Sequence, residues 1–372
     1  MCLNRKTSAR GTVPIFVERK WDCPLPKSPQ RGIAVVPLLI ALVVLAIVVA
    51  GVVAAMRIDW WGQNGNGLSS SFGYDLESFQ KTDPALIGYR ETARVPLEMG
   101  DPRAVAVGPE DRIYVAGDRS VAQFTADGQK GTAIKFKEEP RTLAVGGSQH
   151  VHPGRIYVAM KSRVEICDPD GSPQGAWEDL GPKALITSIA LGESDVYVAD
   201  AGNRIVLRYD PSGKLRGRIG VRDEAHNIPG LIVPSPYMDV AMAPDGLLRV
   251  VNPGAHRVEV YTPEGSLELF WGEASLAVEG FCGCCNPVNI AIMPDGRIVT
   301  AEKGIPRVKV YGADGKFVCV VAGPEMLLPT ESAAKETRTE HRLKAVDVAA
   351  DSRGRVLVLD PASHSVRVFV AK

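Results

Sequence analysis

The chain has 372 residues, with 43 Lys and Arg against 43 Asp and Glu, 45% apolar residues, 37 Gly, 27 Pro and 6% aromatics. That length fits one large domain or two ordinary ones. The even charge argues against a nucleic-acid binder, and a 23% charged fraction beside so much apolar content argues against a disordered chain. Seven cysteines in this length do not make a disulfide scaffold.

Residues 1–31 carry seven basic side chains against Glu18 and Asp22, and are rich in Pro. Ile33 to Met56 then runs 24 residues without a charge, about 36 Å as a helix at about 1.5 Å per residue, which predicts a transmembrane helix over 33–56. Pro37 falls in its first turns, and Arg57, Trp60 and Trp61 follow as an interfacial anchor. The positive-inside rule keeps the basic tail cytoplasmic, with weak attraction to anionic lipid, and places everything after the helix in the periplasmic or extracellular space. The competing reading is a cleaved signal peptide ending near Ala54 and Ala55, but the apolar run exceeds the usual signal length. Residues 57–85, with Gln63 to Gly73 reading QNGNGLSSSFG, form a linker. Cys2 and Cys23 fall on the tail, and Cys23 stands about ten residues from the helix, far for palmitoylation.

After residue 85 one pattern recurs six times: a strand of the form x-V-A-V, a turn, a strand resembling I-Y-V-A-D, a short loop and R-V-x-V-Y. Its second strands begin at Ile113, Ile156, Val196, Leu248, Ile298 and Val356, giving spacings of 43, 40, 52, 50 and 58. Strand repeats of this period predict an all-β propeller of six blades over 86–372. Five copies continue through Asp127-Gly128, Asp170-Gly171, Ser212-Gly213, Glu264-Gly265 and Asp314-Gly315 into a fourth strand. The sixth stops at Lys372, so Leu86–Leu97 is expected to supply its outer strand and close the ring.

These repeats resemble the NHL-repeat family of β-propellers, most closely at Ser194–Tyr209 and Asn286–Tyr311. The first two blades depart from its pattern, with Gly117 and Met160 where the family prefers Asp. The resemblance implies a six-bladed ring around a central channel. It implies no activity.

In such a blade the connections between blades share one face with the loops joining strands two and three. The spacings lengthen the connections at Ile219–Tyr237, Gly272–Cys285 and Pro324–Leu343, so three neighbouring loops crowd one side of that face. Two residues before the repeated Ala, the innermost strands read Ala104, Thr142, Ser188, Asp239, Asn289 and Asp347, turned toward the channel. Asp239, Asn289 and Asp347 are the candidate ligand-binding residues, for a polar ligand or for calcium in the channel. The alternative is that they cap adjacent backbone amides.

The most unusual segment is Phe281 to Pro287, FCGCCNP, in the loop entering blade five. Cys282, Cys284 and Cys285 there, with Cys319 as a fourth sulfur from the same blade, suit a soft metal or an iron–sulfur cluster. They suit equally a disulfide involving Cys319, favoured outside the cytoplasm, or free or exchanging thiols. The spacing is not the paired CxxC of structural zinc. Cys167 reads as a buried core thiol, and His150 and His152 as surface residues of a hairpin on the opposite face.

No nucleophile with its base, GxSxG elbow or phosphate loop is recognisable. The leading function is therefore a membrane-anchored binding module that presents its loop-rich face to a protein, peptide or glycan, and not to nucleic acid. One alternative is a redox or metal-binding component of a membrane complex, using the cysteine cluster. Another is a metal-dependent propeller hydrolase or lyase, as among the amidating lyases and lactonases that NHL-like propellers include. Those enzymes gather His, or Glu, Asn and Asp, around an axial metal, and an inner ring without histidine counts against the lyase chemistry.

Overall fold

The computed structural model describes residues 35–57, 81–328 and 345–372. The expectations for the basic tail with Cys2 and Cys23, for Trp60, Trp61 and most of the linker, and for 329–344 of the third long loop lie outside the described residues. The chain divides into two compact units, Met1–Tyr74 and Asp75–Lys372.

Among its described residues the first unit has one helix, Val35–Arg57, of 23 residues. Its side chains are described over 39–52, where Leu39, Ile40, Leu42 to Leu45 and Ile47 to Val49 are exposed. Among the described residues no helix is long and apolar enough to cross a membrane. The span expected over 33–56 is thus not confirmed, since the side chains that would complete its length lie outside the described stretch.

The second unit is a closed ring of six four-stranded antiparallel sheets. The innermost strands are Pro102–Val107, Thr142–Val145, Ile186–Leu191, Val240–Met242, Asn289–Ile292 and Asp347–Ala350. Each touches the innermost strand of the next sheet, and the last touches the first. The all-β six-bladed propeller read from the repeats is the fold observed. Second strands such as Ile113–Gly117, Val196–Asp200 and Val356–Asp360 are buried along their whole length, because neighbouring blades cover both of their faces. That is why they read as unbroken apolar runs rather than as an alternation. The outer strands Lys130–Lys135 and Pro173–Ala176 face solvent and are correspondingly polar or small.

The hairpin glycines Gly128, Gly171, Gly213, Gly265 and Gly315 all adopt positive φ, between +79° and +100°. Closure also follows the expectation: Tyr89–Pro96 pairs antiparallel with Ser365–Ala371 as the outer strand of blade six. Leu97 N–H donates to His364 O at 2.8 Å and Lys372 N–H to Gly88 O at 2.9 Å, framing that pairing at both ends. Glu91 on the incoming strand pairs with Arg367 at 2.5 Å. Behind them Val95, Leu97 and Val105 pack against Leu357, Leu359 and Val366, joining blade six to blade one. Each such buried aliphatic side chain contributes about 1.5–3 kcal/mol.

Candidate functional site

The candidate channel residues act first as ties between blades. Asp239 Oδ1 accepts from the N–H of Val240 beside it at 2.8 Å, and Oδ2 from Ile290 N–H of blade five at 2.6 Å. Asn289 Nδ2 donates to Val346 O of blade six at 2.7 Å, and Asp347 Oδ2 accepts from Val105 N–H of blade one at 2.8 Å. Ser188 precedes them, its hydroxyl 3.3 Å from Val240 N of blade four. Four consecutive inner strands therefore each send one polar side chain to the backbone of the next. Ala104 has no polar side-chain atom to do so.

The geometry favours the capping alternative, with caps that run between blades. The same residues still line the channel, about 300 Å³ in volume. Burial pushes the Asp239 carboxyl up to about 6, against the hydrogen bonds from Ser188, Ile290 and Val240 that favour its charge. Burial, and then the nearby Asp239 charge, push Asp347 up to about 8. Like charges in one low-dielectric channel resist ionising together, so near neutral pH the two acids carry less than their full charge. Among the described residues no group of three His, Cys, Asp or Glu is placed to hold a metal ion.

At the loop-rich mouth of the channel, in blades three to five the end of the second strand holds the loop that enters its own blade. In blade three Asp200 accepts from Leu185 N–H at 2.9 Å, and in blade four Asn252 Oδ1 accepts from Ile232 N–H at 2.9 Å. In blade five Glu302 Oε2 accepts from Cys282 N–H at 3.0 Å. Lys309, fully buried, pairs with Glu302 at 2.8 Å and donates to Val278 O at 2.9 Å and Gly280 O at 2.6 Å. Burial lowers the Lys309 ammonium and the Glu302 charge opposes that shift. Asn286 completes the clamp, its Oδ1 accepting from Lys303 N–H at 2.9 Å and its Nδ2 donating to Lys303 O at 3.0 Å. The cysteine loop is thus fixed to the blade by buried charge and amide bonds.

Within it the sulfurs of Cys284 and Cys285 lie 3.2 Å apart, Cys284 exposed and Cys285 buried, and Cys282 is half-buried. Burial raises the Cys285 thiol, but Ser235, Lys303 and Cys284 facing it outweigh burial and bring it below its usual value. Cys284 is raised by its hydrogen bond to Cys285 and by the charge there.

Two cations stand beside Tyr237 at this mouth. The Lys303 ammonium sits 4.8 Å from the centre of the Tyr237 ring, and Arg141 lies near enough to Tyr237 to feel its phenol. Arg103, Arg163, Arg257 and Arg367 each pair with a carboxylate. Arg141 has no such partner among the described residues, and its Nε is buried without a hydrogen bond. Burial, and then Arg103, depress its guanidinium.

The structure thus brings Asp239, Asn289 and Asp347 together on the channel wall and Cys284 beside Cys285 at the mouth. It does not bring Cys319 to them. That residue packs against Gly88 in the outer part of blade five, its thiol shifted upward by burial with the Arg297 charge opposing, apart from the cysteine loop. Strand position decides this, because Arg297 belongs to a hairpin of the opposite face. Cys167 is buried as expected, at 2% exposure. His150 corrects a further expectation: it is buried, with Nδ1 2.7 Å from Gly192 O and Nε2 3.1 Å from the Tyr157 hydroxyl, and it links blade two to blade three. Arg141, Tyr237 and Lys303 were not singled out from sequence. The available signal was position alone: Arg141 directly precedes an inner strand, and Tyr237 and Lys303 end segments adjoining the long loops.

No protein-family model and no curated protein matches the chain. Solved structures do match by shape. A Bacteroides thetaiotaomicron protein of unknown function is 15% identical over 76% of this chain and 72% of its own, with a TM-score of 0.52. A streptogramin B lyase is 11% identical over 78% of this chain and all of its own, with a TM-score of 0.53. Virginiamycin B lyase from Staphylococcus aureus is 9% identical over 76% of this chain and all of its own, with a TM-score of 0.50. At these identities the likeness concerns the fold alone.

Proposed function

We propose that this chain is a membrane-anchored, NHL-type propeller that works outside the cytoplasm as a binding module, taking an acidic group of a protein, peptide or glycan at its loop-rich mouth. The observation that carries this reading is the pair of cations around Tyr237. Arg141 has a buried N–H without an acceptor, and Lys303 is held by a sulfur and an aromatic face rather than by a carboxylate. Buried donors are nearly always satisfied, and an acidic group at this mouth would bring a charged acceptor to cations that lack one. The apolar, uncharged run over 33–56 and the basic excess before it support the anchor and its orientation.

The test is titration of the full chain with acidic, neutral and basic peptide pools, followed by anionic and neutral glycans. Acidic members should bind best, and Arg141→Ala with Lys303→Ala should weaken them by about tenfold to a hundredfold, given about 1.5–3 kcal/mol per charged hydrogen bond. Equal binding of neutral pools, or a double variant with unchanged affinity, refutes the reading. Protease treatment of intact cells that spares the propeller refutes its placement outside.

A lyase or hydrolase reading has less support. Asp239 and Asp347 both spend carboxylate oxygens on backbone N–H groups, and among the described residues no third acid or histidine joins them.

A further inference from the structure

We propose that Cys284 and Cys285 are a thiol–disulfide exchange site, a dithiol that closes to a disulfide between sequence neighbours at the expense of an external disulfide and reopens when reduced. The site does not depend on the acidic ligand proposed above.

Three observations carry it. Neighbouring side chains in a strand point to opposite faces, yet here the turn after Gly283, at φ +90°, brings both sulfurs to one side and within 3.2 Å of each other. The two thiols differ in access, as exchange requires: Cys284 is open to solvent and Cys285 is buried behind it. The inner sulfur faces a cation and a hydroxyl, Lys303 and Ser235, which favour its thiolate, the base that takes the proton of Cys284 when the outer sulfur attacks. The surrounding clamp of Glu302, Lys309 and Asn286 holds the pair in place without a covalent crosslink.

The step balances with a disulfide RSSR as oxidant. Cys285, its own proton gone to water, takes the proton of Cys284 as the Cys284 sulfur attacks one sulfur of RSSR, and the departing thiolate recovers the proton from water to leave as RSH. The Cys285 thiol gives up its proton as its sulfur attacks Cys284, the mixed disulfide breaks, and the second RSH leaves. Two thiols have become one disulfide, and two electrons and two protons have gone to RSSR. Adjacent Cα atoms are about 3.8 Å apart, less than the roughly 4.4–6.8 Å of ordinary disulfides. The closed form is therefore strained and easily reduced, as suits a cycling couple.

The test is mapping of the fully reduced full chain after exposure to glutathione disulfide, by acid quench, alkylation of remaining thiols and peptide mass spectrometry. Wild type should lose both alkylation sites at Cys284 and Cys285 together, with the peptide lighter by two hydrogens, and Cys282→Ser should behave identically. Cys285→Ser should accumulate a glutathione adduct on Cys284, and Cys284→Ser should leave Cys285 without one. The proposal is overturned if wild type stays reduced, if Cys284 or Cys285 joins Cys282 or Cys319 instead, or if Cys285→Ser carries no adduct. The wild-type map stands without the variants, so a substitution that unfolds the chain does not remove the test.

Discussion

Replacing Asp347 by Asn should make the propeller more stable, and increasingly so as pH rises. The side chain closes the ring from blade six to blade one by accepting from Val105 N–H at 2.8 Å, and an Asn oxygen can keep that bond. Burial, with the Asp239 charge behind it, pushes the folded carboxyl up to about 8. Because the folded state then holds its proton more tightly than the unfolded chain, the contribution of this group is fully present below the ordinary carboxylate range. It is lost as pH climbs toward about 8. The loss amounts to at most about 1.4 kcal/mol per pH unit, and Asn has no proton to lose. Asp239 remains in both chains, and losing the neighbouring Asp347 charge eases its own ionisation, which widens the difference in the same direction. Urea unfolding of both proteins at about pH 5, 6, 7 and 8 should show the advantage of Asn widening by about 1–3 kcal/mol over that range, with unchanged m-values. A gap that is flat, or that narrows with pH, refutes the reasoning, because Asp347 would then be ionised throughout. A calcium ion in the channel would have that effect, and repeating the series with calcium and with chelator separates the two.

Deletion of residues 86–97 should remove the outer strand of blade six, unpair the edge at Ser365–Ala371 and lower the melting temperature of the whole ring in one transition; an unchanged melt would show that closure does not matter. Lys309→Met should cost about 3–5 kcal/mol by leaving Glu302 buried and unpaired, and adding Glu302→Gln should recover part of it, which a double-mutant unfolding cycle measures. Gly315→Ala should destabilise by more than about 1 kcal/mol in chemical unfolding, because φ is +79° there and a Cβ would meet the Trp271 side chain. Loss of Arg141 alone should weaken acidic-peptide binding while lowering stability in the same melts by less than about 1 kcal/mol, since its Nε makes no hydrogen bond that the substitution removes.

Most of the ring was legible because its determinants are local. A hairpin needs an Asp-Gly or its equivalent, and all five of those glycines take positive φ. Sandwiched strands need unbroken apolar runs, and these recur at propeller spacing. Even closure could be anticipated, since the sixth repeat brings three strands and Tyr89–Pro96 supplies the fourth. The site was legible as a place, in the long loops and in the polar inner strands, but not as chemistry. Asp239, Asn289 and Asp347 were visible as channel residues, yet whether their oxygens and amide faced a ligand or a neighbouring backbone depended on the offset between blades, and repeat spacing carries no such information. His150 looked like a surface residue for the same reason: its two partners lie on blades two and three and meet only in the assembled ring.

The cysteines mark the boundary most sharply. Sequence alone made FCGCCNP unusual and placed it at the channel mouth, since loop membership is a local property. Tertiary structure decided that Cys319 stands apart, that Cys284 and Cys285 face each other, and that Lys303 and Ser235 tune the inner thiol. Strand repeats specify which backbone groups pair within a blade. Which side chains meet across blades, and with what charge, is set by packing between segments tens of residues apart, and only the closed ring fixes that.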